Sequence, residues 1–339
     1  MTAVRGALER LMNRIWYGGY WLAWPLLPFS LLVRWEISRR RRRAPAKGAT
    51  PEGVLVIVVG GITVGGTGKT PVLLALGQWL QQQGYRVGVV SRGYRGACGR
   101  GPHWVTRADS AAWAGDEPLM IQRALSVPVV VGRDRAAALA LLIERCQPDV
   151  VLSDDGLQHY ALPRDIEIAV LDHDRGLGNG WLLPAGPLRE PALKLGSVDW
   201  VLERNSDDVD RGFVYHVRGV RNLISEQVLS WSDCRATWAK QKLTAITGLG
   251  QPEQFFAMLA EQGFSVEGRA LPDHEPLAQH DLDNIDSEIV LITAKDAAKL
   301  SDVTASAAWA RVWIVEIEAR LPPALLTMLK TRLPQPASD

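Results

Sequence analysis

The sequence has little cysteine. Cys98, Cys146 and Cys234 are the only three in 339 residues. They are odd in number and far apart, so neither a disulfide framework nor a zinc site finds its spacing, and the catalytic part should face a reducing compartment. Net charge is scarce too, at +1 with 22% charged and 47% apolar residues. That balance excludes disordered and collagen-like chains and disfavours a globally basic nucleic-acid binder. No short apolar core ends in a small-residue cleavage site, so a cleaved signal peptide is not expected. No repeat of fixed period appears. What is present is enough length for about two domains at roughly 150 residues each.

Positive charge is concentrated at one end. Residues 1–50 hold ten Arg or Lys against Glu9 and Glu36, while the rest holds 28 basic and 35 acidic residues, a net −7. Within that end, Ile15 to Val33 forms nineteen residues without a charge, followed by Arg34 and the run Arg39–Arg43. The length is borderline for a membrane span. Pro25 and Pro28 would break a helix there, and Trp16, Tyr17, Tyr20, Trp21 and Trp24 suit a membrane–water interface. The preferred reading is a helix–break–helix element over residues 1–45, lying in the inner leaflet with its arginines on anionic headgroups. The alternative is a helix packed on the protein's own core. Residues 44–51 read as a linker.

The run VLVIVVGG (54–61) reads as a buried strand. TVGGTGKT (63–70) and an apolar-periodic helix follow it. This order is what a phosphate cradle needs. Gly65, Gly66 and Gly68 let backbone N–H groups converge on phosphate oxygens, with Thr63, Val64 and Thr67 completing the loop. Lys69 reaches the β- and γ-phosphates and the Thr70 hydroxyl takes Mg²⁺, so ATP and Mg²⁺ are the expected ligands. Thr63 replaces the first glycine of the usual pattern.

A strand and a glycine-broken loop are expected over 85–96, and further strands at 126–132, 150–159 (with a polar tip) and 166–172, with helices between them. This rhythm predicts an α/β fold, a P-loop NTPase-like doubly wound parallel sheet over residues 46–205. Val150-Val151-Leu152 delivers Asp154 and Asp155 as candidate metal ligands, and spacing does not choose between them. Asp-Asp-Gly is also ordinary turn chemistry. In GDEP (115–118) Asp116 or Glu117 reads most simply as a helix amino-terminal residue. Residues 206–339 are expected to form a hinge hairpin (strands 213–220 and 227–233) and a smaller α/β domain.

Taken together, TVGGTGKTP (63–71), SRGYRG (91–96), GDEP (115–118), VGRDR (131–135), DDGLQH (154–159), GNGWLLPAGPLREP (178–191), TGLGQPEQF (247–255), PDH (272–274) and TAKD (293–296) occur in one order. The chain thereby resembles the tetraacyldisaccharide 4′-kinase family of lipid A biosynthesis over about residues 10–330. The resemblance implies transfer of the γ-phosphoryl of ATP to the 4′-hydroxyl of a tetraacylated disaccharide 1-phosphate, with Mg²⁺, at the cytoplasmic face of the bacterial inner membrane. It implies no nucleic acid and no obligate protein partner. It also implies that a carboxylate paired with a histidine activates the hydroxyl, and these match Asp116 and His274. Where family members often carry a second histidine, this chain has Glu275. Arg189 is a candidate for charge neutralisation. Arg133 and Arg135, with Gln158 and His159 of the DDGLQH block, are candidates for holding the substrate.

A rival reading, a membrane-tethered GTP switch or transport ATPase, shares the phosphate loop. A GTPase needs an Asn-Lys-x-Asp guanine reader, which Thr293-Ala294-Lys295-Asp296 does not match.

Overall fold

The computed structural model describes residues 11–18, 20–44, 50–94, 96–99, 101–238, 241–272, 275–300, 303 and 306–335. The strands in chain order are β1 Leu55–Gly60, β2 Val87–Ser91, β3 His103–Trp104, β4 Val129–Val131, β5 Val150–Asp154, β6 Ile166–Asp172, β7 Trp200–Arg204, β8 Gly212–Asn222, β9 Val228–Ser230, β10 Leu243–Thr247, β11 Val266–Ala270, β12 Ile289–Thr293 and β13 Val312–Arg320. They form one sheet in the order β11-β10-β12-β13-β8-β7-β6-β1-β5-β2-β4-β3, with β9 paired to β8.

In the first half every pairing from β7 to β4 is parallel, and only the edge strand β3 runs antiparallel. β1 is central, between β5 and β6. Its side chains alternate between faces: Ile57 and Val59 join one core, Val56 and Val58 the other. Both faces are covered, which is why the strand reads as an unbroken β-branched run. The phosphate loop leaves the carboxyl end of β1, where an open α/β sheet binds its ligands.

The second half has its own parallel set, β11-β10-β12-β13, with two further buried clusters. It joins the first through β8, which pairs parallel with β7 and antiparallel with β13. After β13 the helix Pro323–Arg332 turns back, and Leu325 and Leu329 are buried in the same cluster as Ile57.

The expected strand 227–233 is cut short. β9 stops at Ser230, and Trp231 opens the helix Trp231–Trp238. The Ser230 hydroxyl accepts the Asp233 N–H and donates to the Asp233 carboxylate, a side-chain cap. Trp231, Cys234 and Trp238 then fall on one buried helical face.

The amino-terminal element is helical over 11–17, 3₁₀ over Tyr20–Leu26, and α-helical over Leu27–Arg42. Pro25 lies in the 3₁₀ turn and Pro28 in the first α turn, where a missing N–H costs nothing. One side packs on the segment around residues 177–188: Ile15 and Ala23 meet Ala185, and Ile37 joins Leu182 and Leu188. The Ser30 hydroxyl donates to Leu182 O at 2.7 Å, and Trp16 Nε1 donates to Pro184 O at 3.0 Å. The other side leaves Trp21, Trp24, Phe29, Leu31, Leu32 and Trp35 exposed. Among the described residues no helix is long and apolar enough to cross a membrane. Residues 1–10, and 45–49 of the expected linker, lie outside the described residues.

Candidate active site

The loop between β1 and the helix Lys69–Gln82 has the backbone a phosphate cradle requires. Gly65 and Gly68 have φ of +105° and +96°, values that L side chains rarely adopt. A β-carbon on Gly68 would also collide with the Tyr215 hydroxyl from β8. Thr63, by contrast, is not in the positive-φ region, and it pairs with Leu188 in an antiparallel bridge. Its departure from glycine therefore carries no backbone strain. Val64 N–H donates to Pro187 O at 2.9 Å, so the 178–191 segment braces the loop. Thr67 Oγ1 is buried without a hydrogen-bond partner among the described residues, and Thr70 is buried on the first turn of the helix.

At the end of β5 the two aspartates divide. Asp155, in a left-handed conformation at φ +46°, is held by Arg189 through two bonds of 2.8 Å each, with Lys69 Nζ 3.9 Å away. Arg189 also donates to Gly61 O, which Gln158 Nε2 meets as well. Burial pushes the Asp155 carboxyl up, but Lys69 and Arg189 outweigh it and hold it well below the usual carboxylate range. Asp154 is buried. Its Oδ2 accepts from Ser91 Oγ at 3.2 Å and its Oδ1 has no partner among the described residues. Burial, with Glu117 and Asp155 nearby, raises its carboxyl well above the usual range, against the pull of Arg135 and Lys69.

The remaining candidates fall into different surroundings. Arg135 is 2% exposed. It donates to Asp154 O at 3.0 Å, while its Nε and Nη1 have no partner among the described residues, and burial pulls its pKa down to about 10. Arg133, two residues earlier, is exposed. His159 is driven to about 4 by burial and then by Arg135 and Arg92, so its imidazole is neutral at pH 7. Asp116 is buried at the start of the helix Asp116–Leu125, and its Oδ1 accepts the Glu117 N–H. His274, and Arg95 of the SRGYRG block, lie outside the described residues.

One contact was invisible in the sequence. Lys295 Nζ is 3.0 Å from Glu117 Oε1 and 3.7 Å from Asp116 Oδ2, across 178 residues of chain between Lys295 and Glu117. Neither Glu117 nor Lys295 carries a local signal beyond its motif. The next residue, Asp296, is fully used inside the protein. It accepts from Thr247 Oγ1, Thr293 Oγ1, Gly248 N and Lys299 Nζ at 2.6–3.0 Å, which leaves no acceptor to read a guanine.

Among the described residues no group of three or more His, Cys, Asp or Glu forms a metal cage. Mg²⁺ does not need one, since it is commonly held by one or two carboxylates together with substrate phosphates. An orphaned carboxylate oxygen on Asp154, next to the Asp155 that Lys69 approaches, fits such an ion. The orphan has a testable consequence. A carboxyl with a raised folded-state pKa favours the fold at low pH and loses that contribution as pH rises above the ordinary aspartate range. Asp154→Asn does not titrate. At pH 7.5 without Mg²⁺ it should melt at least ~2 °C higher than wild type while losing phosphoryl transfer at limiting Mg²⁺. A lower melting temperature together with full activity would remove Asp154 from the metal site.

The chain matches the family model for tetraacyldisaccharide-1-P 4′-kinase over residues 22–334. It is 42% identical to the tetraacyldisaccharide 4′-kinase of Idiomarina loihiensis, over 95% of this chain and 97% of that one. It is 41% identical to that of Alcanivorax borkumensis, over 96% and 98%. Its fold superposes on the crystal structure of LpxK from Aquifex aeolicus in complex with ATP with a TM-score of 0.73 at 29% identity, covering 92% of this chain and 99% of that one. A phosphate loop braced by the 178–191 segment, a carboxylate pair at the end of β5 and these likenesses along nearly the whole length agree: the chain belongs to the tetraacyldisaccharide-1-P 4′-kinase family.

Proposed function

We propose that this chain is an ATP-dependent lipid kinase that phosphorylates the 4′-hydroxyl of tetraacyldisaccharide 1-phosphate, giving lipid IVA. The observation that carries the reading is the cluster at the carboxyl ends of β1 and β5. There Lys69 and Arg189 flank Asp155, while Asp154 keeps an unpartnered oxygen.

The loop Thr63–Thr70 binds the phosphates through its backbone N–H groups and Lys69, and Thr70 and Asp154 would hold Mg²⁺. When bound, that ion neutralises charge on the β- and γ-phosphate oxygens. Asp116 accepts the proton of the sugar hydroxyl as the new O–P bond forms and the bond to the ADP oxygen breaks, with ADP taking the electron pair. His274 orients Asp116. Lys69 and Arg189 offset the charge on the transferring group, and Asp155 fixes the Arg189 guanidinium. Arg135, expected to hold the substrate, is buried and instead donates to Asp154 O, so Gln158, neutral His159 and exposed Arg133 remain the candidates for holding the substrate. Residues 46–205, with the helix Pro323–Arg332 packed on their core, and the rest of the second half act as two domains that close around ATP. The GTP-switch reading is not favoured, because Asp296 is consumed by its own domain.

The test is mass spectrometry of the lipid after incubation with Mg-ATP and the disaccharide 1-phosphate. One added phosphate at the 4′ position is expected, and ATP hydrolysis without a phosphorylated lipid would return the rival reading.

The exposed side of the amino-terminal helices supports a peripheral seat on the cytoplasmic leaflet of the inner membrane. Trp21, Trp24 and Trp35 are 65–73% exposed, and Arg41, Arg42 and Arg43 are exposed beyond them. Tryptophans suit the interface and arginines the anionic headgroups. Removing each buried aromatic from the leaflet costs on the order of 2 kcal/mol. The triple variant Trp21→Ser, Trp24→Ser, Trp35→Ser should therefore bind anionic vesicles at least ~10²-fold more weakly, with an unchanged melting temperature. High salt alone should release little wild-type protein, because apolar burial is not screened. Wild-type vesicle binding by the triple variant would place the seat elsewhere.

A further inference from the structure

We propose that Lys295 is a positioning residue for phosphoryl transfer, carried by the second half of the chain to the Asp116–Glu117 carboxylates of the first. The inference rests on the kinase reading and extends it to a motif, TAKD, that the reading leaves without a role.

The mount of Lys295 is rigid. It lies in the short helix Ala294–Ala298, whose first turn is capped by the Thr293 hydroxyl, which accepts the Asp296 N–H at 3.2 Å. Asp296 in turn ties the helix to the loop after β10 through Thr247 and Gly248. The lysine thus leaves a braced turn and reaches across to the start of the helix Asp116–Leu125. Its side chain is 20% exposed there, and that of Asp116 is 8% exposed.

The destination matters as much as the mount. Asp116 and Glu117 point one lysine's width apart, at 3.7 and 3.0 Å from Nζ, and Glu117 also bears on buried Asp154. Two carboxylates therefore share one cation, and like charges so placed push one another out of line. A cation at Lys295 offsets that repulsion and fixes the direction in which Asp116 faces the sugar hydroxyl. The lysine belongs to the second half, so the base is set in place only when the two halves lie together. An ordinary surface ion pair would be exposed and monodentate and would contribute little; this one is mostly buried and bridges two acceptors.

The experiment uses the full chain in detergent micelles with tetraacyldisaccharide 1-phosphate and Mg-ATP. Lys295→Met should lower kcat by ~10²-fold, the size expected when a reacting group is misplaced by about an ångström. The KM for ATP should stay near wild type, and the melting temperature should fall, because two carboxylates lose a largely buried cation. Lys295→Arg, which keeps the charge, should recover most of the rate. In the Asp116→Asn background Lys295→Met should cost less than about twofold more, because residues acting as one unit do not multiply. A wild-type kcat in Lys295→Met, or losses that multiply with Asp116→Asn, overturns the inference and leaves the kinase reading intact. So does an equal loss in Lys295→Arg accompanied by a lower melting temperature, which marks a purely structural latch. A wild-type chain that phosphorylates no lipid overturns the kinase reading, and this inference with it.

Discussion

Lys69→Ala should lower phosphoryl transfer by at least ~10³-fold while the protein stays folded. The size follows from what the ammonium does. Phosphoryl transfer depends mostly on positioning and charge neutralisation, and removing one preorganised cation or donor from such a site commonly costs ~10²–10³ in rate, more when it contacts the transferring group. The fold should survive because Lys69 is not the main partner of its carboxylate. It stands 3.9 Å from Asp155, whereas Arg189 makes two bonds of 2.8 Å to the same group. Asp155 therefore remains paired in the variant, and no buried charge is orphaned. The helix Lys69–Gln82 keeps its buried face of Val72, Leu73, Leu76 and Leu80, which involves no part of the lysine head. The measurement is kcat/KM for both substrates alongside thermal unfolding. Turnover within tenfold of wild type, in a folded variant, would show that the Thr63–Thr70 loop is not where the γ-phosphate sits.

Asp116→Asn should cost ~10²–10⁴-fold in kcat, the usual loss on removing a general base, with little change in the KM for ATP. Asparagine has the size of aspartate and still offers a side-chain oxygen to the Glu117 N–H that Asp116 Oδ1 accepts at 3.0 Å. The helix start should thus be kept while the proton acceptor is lost. If His274 acts only by orienting this carboxylate, His274→Ala should add almost nothing in the Asp116→Asn background. Losses that multiply would give the two residues separate tasks. A KM for ATP that rises in step with the fall in kcat would move Asp116 from the acceptor hydroxyl to the nucleotide.

Much of the site was legible in the sequence because its pieces are local. Glycines, Lys69 and Thr70 are consecutive, and the order of strand, loop and helix fixes where each points. The β-branched runs 54–59 and 166–172 announce strands buried on both faces, and β1 and β6 follow them. β3, β7 and β11 carried no such signal. β11 is an edge strand whose Glu267, Gly268 and Arg269 show no apolar pattern, since one side of it has no neighbour to pack on.

The sequence by itself determined the phosphate loop, the carboxylates at the end of β5 and the charge-free amino-terminal segment with its arginines. Each is a property of neighbours along the chain. Only the tertiary structure decided how Asp154 and Asp155 differ. Adjacent in sequence, they are separated by environment: one meets Arg189 from 34 residues away, and the other is buried among carboxylates with an oxygen left over. The same holds for the amino-terminal helices, whose apolar run splits into a side seated on residues 177–188 and a side left exposed. It holds most fully for Lys295, whose carboxylate partners lie in the other half of the chain. Charge environment and burial depend on distance in space, and the sheet that sets those distances is closed by β8 and β13, pairings between residues up to about a hundred positions apart.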